Sequence, residues 1–271
     1  MNITKLIFAL LLILGLTKVS SAQNLVEVNL TQQEINQIIK AFTEKEREFR
    51  EALKNYVFNR SVTIQTIGLG GNVTGTYRRD SLMTFTDDGR RFEKVLYAPI
   101  STLKDINVTP EDLEDLGGVN PFALEPDVIN LYDFTLLGKE RIDELDLYVF
   151  DVKPKVIPDP KKSKQRFFIG RIWVDDKDLQ IVKSKGKGIP ETKDNKFPVV
   201  ETWRENIDGK YWFPTFISSD DELVFDNGFT VKIRMRVRYY NYKRTRTDVR
   251  ILDDEEQEKP QPTNKQKPDK P

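Results

Sequence analysis

The 271-residue sequence contains neither cysteine nor histidine. Without cysteine there are no disulfides, no thiol nucleophile and no site for a bacterial lipid anchor, so the fold must rest on an ordinary apolar core. Without histidine, Ser-His-Asp and Cys-His catalysis and histidine-ligated zinc are excluded. Neither sign of charge dominates: 43 Lys and Arg balance 43 Asp and Glu. A chain this neutral carries no general signal for a polyanionic partner, and no nucleic acid is expected. Long apolar runs are absent after the N-terminus, so no membrane-spanning helix is expected in the body of the chain.

The N-terminus reads as a secretory leader. Lys5 supplies the positive start, Leu6 to Leu16 an apolar stretch too short to span a bilayer, and Ser20-Ser21-Ala22 a small-residue cleavage site. A buried helix would need a polar stripe that this run lacks. Residues 1–22 are therefore expected to be removed after Ala22, which leaves Gln23 first and the protein released rather than anchored.

The mature chain opens with a helix. Thr31 and Glu34 form a capping box, and Ile35, Ile38, Ile39, Phe42, Phe49 and Leu53 make one apolar face. The rest of its middle, Glu44-Lys45-Glu46-Arg47-Glu48, is charged, which makes this a helix with one buried side. From Tyr56 the period becomes two. Strands are expected at 57–67, 73–86, 92–98, 134–141, 147–153, 165–174, 179–185, 199–207, 210–218 and 229–242. Turn signals at Asp88-Gly89, Asp143-Glu144, Asp175-Asp178 and Asp208-Gly209 make most pairings antiparallel. Thr109 with Pro110 marks a short helix start, and Gly117-Gly118 its stop. Residues 253–271 are charged and proline-rich, a composition that cannot bury enough surface to fold. The expected domain thus runs from 23 to 252.

Several motifs reduce to ordinary structure. Gly68-Leu69-Gly70-Gly71 lacks the third glycine and the following helix of a dinucleotide loop, and reads as a hairpin turn. Asp175, Asp176 and Asp178 lack the glycine and distal glutamate of an EF-hand, which favours a solvated turn over calcium. Paired carboxylates for glycoside hydrolysis cannot be selected among the acids present. The row Lys232, Arg234, Arg236 and Arg238 is the solvated side of a strand or a surface for anionic groups. Asn29, Asn59, Asn72 and Asn107 begin glycosylation sequons, relevant only where the source glycosylates.

The apolar content of the strands is larger than one helix face can cover. Exposing that surface is unfavourable by roughly 25 cal/mol per Å². The sheet should therefore close on itself or hold an apolar ligand. By alternation, the lining of such a site falls on Phe167, Ile169, Trp173, Trp203, Trp212, Phe216, Val231, Ile233, Met235 and Val237. A one-residue error in register would swap every choice to the other face.

Four stretches carry a resemblance: Tyr148-Val149-Phe150-Asp151-Val152-Lys153-Pro154, Gly170-Arg171-Ile172-Trp173-Val174-Asp175, Glu201-Thr202-Trp203-Arg204, and Asp208-Gly209-Lys210-Tyr211-Trp212-Phe213-Pro214. Over residues 130–245 the chain resembles the bacterial outer-membrane lipoprotein-sorting proteins, relatives of the LolA/LolB carriers and of RseB-type regulators. The resemblance implies an α+β, strand-dominated fold, a half-open antiparallel β-barrel with a long N-terminal helix and short helices lidding its concave face. It also implies a periplasmic, non-enzymatic carrier whose partners are lipid or lipoprotein acyl chains. The alternative is an envelope-stress sensor that binds an envelope membrane protein. A monomer is expected, with no cofactor and no metal.

Overall fold

The computed structural model describes residues 25–86, 89–109, 112, 124, 126–163 and 165–245. The expected leader, the tail after 252, Pro110 and Gly117-Gly118 lie outside the described residues, as does Asp88 of one expected turn.

One α-helix, α1 (Gln32–Leu53), precedes the strands. The Thr31 hydroxyl accepts the Glu34 amide and the Glu34 carboxylate accepts the Thr31 amide, so the capping box forms as the sequence predicts. Ten strands follow: β1 (Tyr56–Ile67), β2 (Val73–Phe85), β3 (Arg91–Tyr97), β4 (Tyr132–Ile142), β5 (Leu145–Pro154), β6 (Phe167–Asp175), β7 (Ile181–Ile189), β8 (Val200–Ile207), β9 (Tyr211–Val224) and β10 (Thr230–Arg244). A 3-10 turn at Ile129–Leu131 leads into β4.

All ten strands form one antiparallel sheet in the order β3-β2-β1-β10-β9-β8-β7-β6-β5-β4. The first and last strands are thus neighbours in its middle, with Val62 opposite Val237 and Ile64 opposite Met235. The sheet is not closed; β3 and β4 are its two ends. Val26 pairs with Lys139 on β4 through two 2.8 Å hydrogen bonds and covers part of that edge.

The expectation of several lid helices is corrected. Among the described residues α1 is the only helix of more than one turn that lies on the sheet. Thr109 and Asp112 do exchange cap bonds of 2.9 and 3.1 Å, as their spacing predicts, but residues 113–123 lie outside the described residues. In place of further helices, the chain after β3 supplies a strap. Thr102 bonds Thr76 on β2, and Leu103, Ile106 and Val108 pack onto the sheet. Gly75 permits that crossing, because a Cβ there would lie 2.1 Å from the Thr102 carbonyl oxygen.

The expected turns are present at the glycine and aspartate clusters. Gly70 and Gly71 both take φ of 84° between β1 and β2. The Asp175 carboxylate accepts the amides of Lys177 and Asp178, which closes the β6–β7 turn. Among the described residues no group of three or more acidic side chains is placed to hold a metal ion, and no helix is long and apolar enough to cross a membrane.

Candidate functional site

Helix α1 lies across one face of the sheet, called here the inner face. Phe42 meets Phe134 of β4 and Phe150 of β5 at ring separations of 5.7 Å each. Two turns further on, Phe49 meets Phe213 of β9 at 5.6 Å. Around these contacts sit two buried clusters. Phe150, Val152, Phe168, Ile172, Val174 and Ile181 pack with Phe42, while Phe58, Val62, Phe213, Met235 and Val237 pack with Phe49 and Leu53. Phe168 lies over Gly170 and Gly186, where an added Cβ would come within 2.9 and 2.4 Å of its ring. Those two glycines are what let so large a ring lie close to the sheet.

A charged pair sits between the two clusters. The Arg204 guanidinium donates to both oxygens of Glu46 at 2.5 and 3.0 Å and lies 4.7 Å over the Phe49 ring. Their side chains are only 9% and 1% exposed. Glu46 stands in the charged middle of the helix yet on its buried side. Its spacing could have found it: Phe42, Glu46 and Phe49 follow the four-then-three rhythm of one helix face. Since the two charges compensate each other with bidentate geometry, burial is tolerated.

A second polar group lies on the inner face toward β3. Arg60, Arg79 and Ser81 all donate to Glu93 Oε1. Burial works to raise the Glu93 carboxyl. The hydrogen bonds from Arg79 and Ser81 and the charges of Arg60 and Arg79 outweigh it and hold the group at about 2. Tyr239, opposite Arg60 in register, is pushed up by burial.

The ten residues selected by alternation do not share a face. Phe167 joins the Phe42 cluster, Met235 and Val237 join the Phe49 cluster, and Val231 and Ile233 pack with Leu223 on the same side. Ile169, Trp173, Trp203, Trp212 and Phe216 lie on the outer face. Trp173 packs with Leu147, Val149 and Val182, with Trp212 against that group. Trp203 stands opposite Lys183 on one side and Phe216 on the other. The inner-face residues outside the sequence choice are Phe150, Phe168, Ile172 and Phe213; the last three alternate with chosen residues on β6 and β9, whereas Phe150 lies on β5, where none was chosen.

The outer face carries a cavity of about 840 Å³, lined by Ile169, Arg171, Trp173, Lys183, Lys185 and Glu201 among others. The Lys183 ammonium stands 4.7 Å from the Trp173 ring and 4.1 Å from the Trp203 ring. Trp203 donates its indole N–H to Glu201 at 2.8 Å, and Trp173 donates to Glu140 at 2.6 Å. This floor combines aromatic and aliphatic surface with charges of both signs. The basic row on β10 shares the outer face, where Arg234 and Arg236 both pair with Asp220.

The chain is similar to several solved structures at low identity. A DUF1329 family protein from Desulfovibrio piger is 15% identical, with 78% of this chain and 95% of that one covered and a TM-score of 0.37. A LolA superfamily protein from Nitrosomonas europaea is 16% identical, with 80% and 94% covered and a TM-score of 0.34. A putative outer membrane lipoprotein-sorting protein domain from Vibrio parahaemolyticus is 12% identical, with 79% and 95% covered and a TM-score of 0.33. No protein-family model matches the sequence, and no curated protein matches it.

Proposed function

We propose that the protein is a periplasmic carrier, released after Ala22, that holds the acyl chains of a lipid or lipoprotein against its inner sheet face and serves outer-membrane lipoprotein sorting. The observation that carries this reading is the inner face itself. Across an unclosed sheet it presents an aromatic and aliphatic surface covered by one amphipathic helix. Acyl chains would take the places of Phe42, Phe49 and Leu53 as α1 lifts. The exchange is close to balanced, because apolar surface stays covered at roughly 25 cal/mol per Å² whichever group covers it. The Glu46–Arg204 pair fits such a movement. On opening, both charges regain hydration, so the ion pair sets the helix's register without adding greatly to its hold.

The test is direct. Protein purified from the compartment should yield co-extracted lipid or lipoprotein by mass spectrometry and should bind a fluorescent fatty acid. A consistently empty protein that also fails to bind the probe overturns the reading.

The outer cavity favours a second reading, an envelope-stress sensor or interaction protein that engages a membrane protein without moving cargo. Its mixed charges and half-exposed Trp203 suit a protein surface. Affinity capture that returns one stable membrane-protein partner, with no transfer of lipid between vesicles, would favour it over the carrier.

A further inference from the structure

We propose that the end of the sheet where β1 finishes and β10 begins is a docking surface for a lipid bilayer bearing anionic headgroups. This goes beyond the carrier reading and holds or fails without it. The pairing registers place five chain reversals at that end: β1–β2, β9–β10, β7–β8, β5–β6 and the entry to β4. Large apolar side chains stand in solvent on all five, with Val199 on the β7–β8 connection. Leu69 is 98% exposed, Val156 75% and Ile157 56%, and Leu131, Val224 and Phe229 are also exposed. Two links draw these tips together: the Lys155 amide bonds the Leu131 carbonyl at 2.8 Å, and Lys196 pairs with Asp226 at 2.6 Å.

The opposite end has the other character. Its turns present Asp143, Glu144, Asp176, Asp178 and Asp208 beside Arg90, Lys177 and Lys210, and among the described residues none of these turns carries an exposed large apolar side chain. One end therefore carries exposed aliphatic groups with a lysine cluster, and the other a modest excess of carboxylates. At the apolar end the Val156-Ile157 pair is flanked by Lys155, Lys161 and Lys162, all exposed, with Asp159 the acid among them. That is the chemistry of interfacial binding, with aliphatic groups reaching the acyl boundary and ammonium groups meeting lipid phosphates. The acidic end is repelled by the same surface, which fixes the orientation.

Charge argues for a bilayer over a protein. The exposed apolar groups are divided among several loops, and the Val156-Ile157 pair is bracketed mainly by lysines rather than by a balanced-charge rim. A headgroup layer yields to each loop separately, whereas a protein would need a matching relief. Scattered single apolar residues are normal on a surface. What calls for an explanation at this end is an adjacent pair of exposed aliphatic side chains, Val156 and Ile157, with three exposed lysines beside it.

Flotation of the full-length gene product, expressed with its own N-terminus, tests the proposal. The vesicles are phosphatidylcholine alone or phosphatidylcholine mixed with phosphatidylglycerol. The protein should float with the mixed vesicles, less so with neutral ones, and added salt should weaken the binding. Val156→Asp with Ile157→Asp should lower the bound fraction at least about tenfold. Lys155→Glu with Lys161→Glu should abolish the preference for anionic vesicles, and Lys177→Ala at the acidic end should change nothing. These side chains are exposed, so circular dichroism should confirm an unchanged fold. Binding of a fluorescent fatty acid, measured without vesicles, reports separately on the carrier reading. Three results would overturn the proposal: no flotation with either vesicle, flotation of the Val156/Ile157 variant equal to the parent, or binding only to vesicles carrying an envelope membrane protein.

Discussion

The two faces of the sheet between β4 and β9 are built from the same strands yet have different chemistry. On the inner face Phe150, Phe168, Ile172 and Phe213 are buried under α1 and carry the helix on apolar contacts. On the outer face Trp173 is buried too, but its neighbours Lys183, Glu140 and Glu201 are charged and line an open cavity. One face is an apolar surface covered by α1; the other is a floor fixed by indole hydrogen bonds and cation–ring contacts. A strand can serve both because its side chains alternate, so each side of β6 was free to take its own composition.

Mutations should separate the faces. Phe150→Ala removes a ring wedged against Phe42 and should cost about 4 kcal/mol in urea unfolding, while freeing α1 enough to raise binding of a hydrophobic dye. Little loss would mean that the inner face is loosely filled.

Glu93→Gln should cost about 2 kcal/mol at neutral pH, with allowance for partial solvent screening. The folded carboxyl sits at about 2 against an ordinary value of 4.5. Its stabilisation is therefore complete above pH 4.5 and lost as pH falls from 4.5 toward 2. Urea titrations across that window should show the parent losing stability faster than the variant. Parallel curves would remove Glu93 from the inner-face account.

Lys183→Ala on the outer face should cost only about 1 kcal/mol, read by the same unfolding assay, with altered Trp fluorescence because the ammonium leaves both rings. A loss equal to that of Phe150→Ala would erase the distinction between the faces.

Period-two patterning located all ten strands, because β-branched and aromatic alternation is a local property of each segment. Which face curls inward was not legible. In β5 both Leu147 and Val149 on one side and Phe150 and Val152 on the other are buried, so alternation offered two equal answers. Bulges added to the difficulty. The register slips between Trp173 and Val174 against β7 and between Trp203 and Arg204 against β9. The second bulge accompanies the placing of Trp203 outward and Arg204 toward α1. Glu46 was hidden by composition, since a carboxylate amid four charged neighbours looks solvated until a partner 158 residues away is known. The exposed tips escaped notice because single apolar residues in turns carry no pattern; only pairing order gathers them at one end.

The neighbouring of β1 and β10 sets an order of assembly. A chain that emerges N-terminus first presents β1, β2 and β3 while the central edge of β1 still has no strand beside it. Strands β4 to β9 can zip to one another in sequence, each beside the last. The two parts become one sheet only when Thr230–Arg244 arrives to bridge β9 and β1. Closing that seam spans most of the domain and is entropically slow. The last strand to be made is thus the one that unites the molecule, and until then its nascent form has an edge that needs guarding.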